Sequence, residues 1–136
     1  MPGEKVPERV RNFIYEYVDS VELLEILLLT HADPSKKWTA AEISQQLRSN
    51  INSVQKRLQT LQHNRLILAT GDAGSSYQYN TKSQAHMAIE DLDQTYKIQR
   101  HRVLELIFSP LKKAKDFSDS FRITNPKRSD YGDENG

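Results

Sequence analysis

Asn52, Lys56, Gln59 and His63 recur three and four residues apart in the stretch NINSVQKRLQTLQH, residues 50–63, with Gln55 and Thr60 beside them. Such intervals set side chains on one face of a helix, while Val54, Leu58 and Leu61 share the opposite face as an apolar stripe. An amide side chain donates and accepts at once, which suits it to N6 and N7 of adenine, and an ammonium can donate to O6 and N7 of guanine. Ser53 and Arg57 flank the polar face, and Arg48 and Arg65 bracket the helix. No carboxylate occurs between Glu42 and Asp72, and an acid on that face would repel phosphate. The chemistry on offer is contact with a double-stranded nucleic acid. Asn52, Ser53, Gln55, Lys56, Gln59, His63, Arg57, Arg48 and Arg65 are the expected DNA contacts, with Lys56 and Gln59 reading bases and Arg57 and Arg65 near phosphates.

The charge distribution repeats this message at the scale of the chain. The formal net charge is only +1, but residues 1–34 hold three basic residues against seven acids, and residues 35–70 hold six against Glu42 alone. A positive patch therefore sits on one segment of a nearly neutral protein. There is no cysteine, so a disulfide framework and a thiolate metal site are both excluded. His86 with Glu90 and His101 with Glu105 have i,i+4 spacing but no evident third ligand, so no metal and no cofactor are expected. Asp91 and Asp93 face different ways on a helix, and no phosphate loop or nucleophile elbow is present. No catalytic constellation can be assembled, and the chain is not expected to be an enzyme.

The elements that must position the polar face read as a mostly α chain with a small β-hairpin. An amino-terminal helix is expected within residues 1–19, with Val6, Val10, Phe13, Ile14 and Tyr17 as its apolar stripe. Residues 20–80 form the next unit. Ser20 caps VELLEILLLTHA, a helix apolar on most sides and hence central. Thr39 and Glu42 form a capping box, Ser44 is a small residue suited to a close helix crossing, and Asn50 caps the polar helix. RLILAT and YQYN are strands joined by GDAGSS, and Trp38 is read as a core residue at the sheet edge.

A long carboxy-terminal helix is expected from Ser83 within residues 81–109, with Gln99 as a polar gap in its stripe and Pro110 as its stop. About 25 residues would span roughly 37 Å. Residues 110–136 read as a short amphipathic segment around Phe117 and Phe121 with a disordered tail, offered as a site for a protein partner. The first residues, MPGEKVPERV, lack the apolar run of a signal peptide, and the richest apolar run is too short to span a bilayer. A cytoplasmic protein without a membrane segment is the expectation, associated with the nucleoid if it binds DNA.

Residues 39–79 resemble the winged helix-turn-helix domain of prokaryotic transcriptional regulators such as the MarR, ArsR and PadR groups. The resemblance rests on TAAEISQQLRSNINSVQKRLQTLQHNRLI: a threonine-capped helix, a turn, then a helix of S-x-V-x-x-x-L-x-x-L form. It implies sequence-specific DNA binding in transcription, and a homodimer made by helices outside the winged domain. Leu104 and Phe108, off the main stripe of the last helix, are assigned to that dimer contact. Two departures stand out. Arg48 replaces the usual turn glycine, and Arg65 the glycine before Leu-Ile, with Asn64 offered as the left-handed residue instead. The wing holds Asp72 and no basic residue. The alternative function is that of a winged-helix adaptor that binds another protein and no DNA.

Overall fold

A computed structural model describes residues 6–109 and 112–113. Its elements run α1 (Glu8–Tyr17), α2 (Val21–Ala32), α3 (Ala40–Leu47), α4 (Ile51–His63), β1 (Ile67–Thr70), β2 (Ser76–Tyr79), α5 (His86–Ile98) and α6 (Arg100–Ile107), with a single 3-10 turn, Asp72–Gly74, between the strands. The expected amphipathic segment around Phe117 and Phe121 and the tail after it lie outside the described residues.

The middle of the molecule is α2. Leu23, Leu24, Ile26, Leu27 and Leu28 are all buried, because a helix apolar on most sides must be covered on most sides. Helix α4 and strand β2 cover part of it, α3 packs on α4, and α1 packs on α5 and α6. Ser20 starts α2 by accepting from the Leu23 amide at 3.1 Å. The Thr39–Glu42 capping box is complete, with bonds of 2.9 and 3.1 Å. Asn50 accepts from the amides of Asn52 and Ser53.

The strands pair antiparallel in the register Ile67↔Tyr79 to Thr70↔Ser76. Trp38 adds a third, one-residue edge: its amide and carbonyl both pair with Tyr77, at 2.8 and 2.7 Å. The buried Trp38 thus fixes the entry to α3 against the hairpin.

The α3–α4 turn, Arg48-Ser49-Asn50, is held by a side-chain bond from α3. The Ser44 hydroxyl donates to the Ser49 carbonyl at 2.5 Å, so this residue staples the turn and is not simply a space-saver at a helix crossing. Arg48 is left-handed (φ 54) and takes the glycine's conformation itself. Arg65 does the same (φ 60), whereas Asn64 has φ −86, so the left-handed residue is Arg65 and not Asn64. Asn80 compensates, since its side-chain amide donates to the Arg65 carbonyl at 2.8 Å.

The long carboxy-terminal helix is two helices. Helix α5 begins at His86 and ends at Ile98, Gln99 leaves helical geometry (φ −128, ψ 51), and α6 follows at Arg100. Neither proline nor glycine causes the break. The buried Thr95 bonds back to the Asp91 carbonyl at 2.8 Å, a bond that tends to bend helices. Gln99 then ends one helix through its amide and opens the next through its carbonyl, which accepts from Arg102 and Val103. The break lets both pieces lie on α1, burying Val103 and Ile107 and packing Leu104 and Leu106 against the core. The apolar end of α6 is therefore largely covered within the monomer, with Phe108 left 57% exposed.

The two kinds of site differ in their expected mutational cost. Leu58 is fully buried in α4, and Leu58→Ala should cost about 2–5 kcal/mol in thermal or chemical denaturation. Arg65→Gly should go the other way, raising stability by about 0.5–1 kcal/mol, because a left-handed L-residue costs about 1–2 kcal/mol and glycine gives part of that back in unfolded-state entropy.

Candidate nucleic-acid interface

Helix α4 buries Val54, Leu58 and Leu61 completely, which turns its opposite face to solvent. Asn52, Gln55, Lys56, Gln59 and His63 are all exposed there. The Asn50 cap fixes the first turn by holding two of its amides. Arg48 and Arg65 lie exposed at the two ends of the helix, and Lys36 and Lys37 are exposed just before α3. Lys36 lies over the Trp38 ring, its ammonium 4.5 Å from the ring centre.

Ser53 and Arg57 are placed differently from the others. They are one helical turn apart and face α2, where Glu22 receives both. The Ser53 hydroxyl and the Arg57 Nε donate to the same Glu22 oxygen, the latter at 3.1 Å. Arg57 Nη1 also lies 3.9 Å from Asp19. Its guanidinium is thus held by carboxylates of the α2 amino terminus. Burial pushes the Glu22 carboxyl upward, but hydrogen bonds from Ser53, Arg57 and Ser49, with the Arg57 charge, outweigh this and hold it below the usual range. Part of the charge segregation along the sequence is therefore an internal ion pair.

The wing is tight and carries no cation. Gly71 (φ 80) and Gly74 (φ 66) sit in positive-φ conformations, and so does Ala73 (φ 58) between them. A Cβ on Gly71 would come within 3.3 Å of the Ser76 hydroxyl. Leu68 is exposed on its outer face. At the base of the wing, Tyr79 is 2.7 Å from His86 Nδ1, and Nε2 of both His86 and His31 point at one Glu90 oxygen, at 3.3 and 3.8 Å. Among the described residues, no group of three or more His, Cys, Asp or Glu side chains is arranged to hold a metal ion. No helix among them is long and apolar enough to cross a membrane.

Two participants were not picked out from the sequence. One is Glu22 with Asp19, for which the signal was there: an acid-rich segment, and Ser53 and Arg57 at i,i+4. The other is Ile51, 40% exposed in the first turn of α4 beside Asn52 and Gln55.

The Glu22 contact has a pH signature. A carboxyl held low in the folded state contributes stability above its unfolded pKa and loses it as pH falls through the folded value. Glu22→Gln should lower the melting temperature near neutrality by the equivalent of about 1–3 kcal/mol. The gap to the wild type should close as pH drops below the ordinary glutamate range. A gap that stays constant down to strongly acid pH would show that the Glu22 charge is not what holds the two helices together.

No protein-family model matches the chain, and no curated protein matches its sequence. Among solved structures, it is similar to MepR, a transcription regulator of the Staphylococcus aureus multidrug efflux pump MepA. The two share 13% sequence identity and a TM-score of 0.51, over 88% of this chain and 87% of MepR. At that identity the likeness is one of fold. Mostly helical, with one antiparallel hairpin after its fourth helix, the chain has a MarR-like winged-helix fold.

Proposed function

We propose that this chain is a sequence-specific double-stranded DNA-binding protein that regulates transcription as a homodimer. The observation that carries this reading is the outward face of α4, where Asn52, Gln55, Lys56, Gln59 and His63 stand exposed with no carboxylate among them. A helix offered to the major groove presents such a face, with its amino-terminal half nearest the bases. Arg48 and Arg65 support it further. Each occupies a left-handed position that glycine would fill at lower cost, which fits a use for the guanidinium on phosphate. Arg57 is assigned to holding α4 on α2, and Lys36 and Lys37 join the phosphate contacts. MepR, a transcription regulator, shares the fold.

The dimer contact is proposed on the outer faces of α5 and α6. Met87 and Ile98 are 65% and 77% exposed and eleven residues apart, which returns them to the same side of α5, and Phe108 is a further exposed apolar residue at the end of α6. Leu104, packed on the monomer core, is placed at the edge of this contact. A two-fold dimer would set two copies of α4 toward successive major grooves, about 34 Å apart.

Fluorescence anisotropy with a random duplex, at low and at moderate salt, tests the reading. Binding should weaken steeply with salt. No binding at low salt would leave a protein-binding adaptor as the function. Lys56→Ala should cost about 1–3 kcal/mol on a selected site, whereas Arg65→Ala should weaken all duplexes alike and lower the salt slope by about one. In sedimentation equilibrium the wild type should exceed the 15.7 kDa of one chain at micromolar concentration. Ile98→Glu with Phe108→Glu should return it to that mass while its melting temperature holds. A wild type that stays at monomer mass ends the dimer proposal.

A further inference from the structure

The exposed side chains in the first turns of α4 have unequal tastes among the base edges. With the Val54–Leu58–Leu61 stripe at the origin and about 100° per residue, Ile51, Gln55 and Asn52 fall in one continuous sector roughly 60° to 160° away. This strip combines two amides with an apolar, β-branched side chain. Amides pair bidentately with adenine N6 and N7, and the group an apolar side chain meets in the major groove is the thymine C5 methyl. Cytosine is best met by a carboxylate accepting from N4, and α4 has none. Thymine is the partner of adenine, so both parts of the strip favour the same base pair.

Ile51 is also pre-set for such a contact. It is the first residue of α4, and the bonds from the Asn50 cap to the Asn52 and Ser53 amides fix the backbone around it. A β-branched side chain has few χ1 choices, so little rotamer freedom is lost on contact. It is 40% exposed, whereas the three apolar residues behind it, Val54, Leu58 and Leu61, are sealed in the core.

We infer that the first turns of α4 select A·T pairs, with Ile51 packing on a thymine methyl while Asn52 and Gln55 bond the adenine edge beside it. Lys56, at the far side of the strip, supplies a guanine contact next to them. This rests on the DNA-binding reading above and makes Ile51 a specificity-determining residue of that same surface.

The test separates the inference from the reading beneath it. Duplexes are selected from a random library with the full chain. The selected duplex is then compared with the same duplex carrying deoxyuridine for every thymine, which removes the methyl and keeps every hydrogen-bonding group. Wild-type protein should lose about fourfold in affinity for each methyl contacted. Ile51→Ala should lose the same factor on the thymine duplex and be indifferent to the exchange, with its melting temperature unchanged; Ile51→Val should retain most of the sensitivity. Replacing adenine by 7-deazaadenine, which lacks N7, should weaken wild type more than Asn52→Ala or Gln55→Ala. Selected sites without A·T enrichment, or a wild type indifferent to deoxyuridine, would overturn the inference while leaving DNA binding in place. Failure to bind any duplex at low salt would remove both.

Discussion

The burial of α2 is the constraint on which the rest depends. A helix apolar on nearly every side cannot stand at a surface, so the other elements are arranged to cover it. Its two interior acids must then leave the core at its margins. Glu22 emerges toward α4 and receives Ser53 and Arg57. Glu25 emerges on another side, where Arg100 of α6 lies 3.9 Å away, a solvated contact of small energetic weight. The central helix thus presents a carboxylate both to the helix with the polar face and to the carboxy-terminal helix. The first contact is the more enclosed of the two, and together with the buried Val54–Leu58–Leu61 stripe it sets how α4 is rotated on the core.

That rotation decides which groups of α4 reach solvent. The chain is nearly neutral as a whole, and a winged-helix fold alone does not settle function. What distinguishes this surface is the sorting of its charges. Arg57 is neutralised from behind, while Lys56, one residue away, is exposed on the outward face. Glu22, the α2 carboxylate nearest this surface, is engaged with Ser53 and Arg57. The proposed interface is accordingly less positive than the sequence suggested, and more dependent on amides.

Where local chemistry decides, the sequence was legible. The caps at Ser20, Thr39 and Asn50 and the buried stripe of α4 each follow from residues spaced no more than four positions from the next, and each is present. Three features depended on distant partners. Arg48 and Arg65 read as poor substitutes for glycine, yet both adopt the left-handed conformation, with Asn80 holding Arg65 from fifteen residues away. The break at Gln99 has no proline or glycine to announce it, and it follows from the need of α5 and α6 to lie together on α1. Arg57 read as a phosphate contact, and the carboxylates that hold its guanidinium come from the start of α2, more than thirty residues away. Side chains with two possible partners, phosphate or carboxylate, cannot be sorted by type alone.

The wing shows how such distant contacts join the two ends of the molecule. It has no cation for phosphate, but its base is firmly built. Burial, with the Glu90 charge adding to it, pushes the Tyr79 phenol well above its usual range, so it remains a donor. Tyr79 and His86 Nδ1 share this hydrogen bond, and the opposite ring nitrogen, Nε2, faces Glu90. His31, at the end of α2, meets Tyr79 edge to face, with ring centres 5.1 Å apart. The end of β2, the end of α2 and the start of α5 are therefore joined by aromatic rings and hydrogen bonds. Six residues separate β2 from α5, and this joint spans them. If α5 and α6 pair two copies and α4 meets DNA as proposed, this short connection is one of the contacts that set the distance between the two α4 helices.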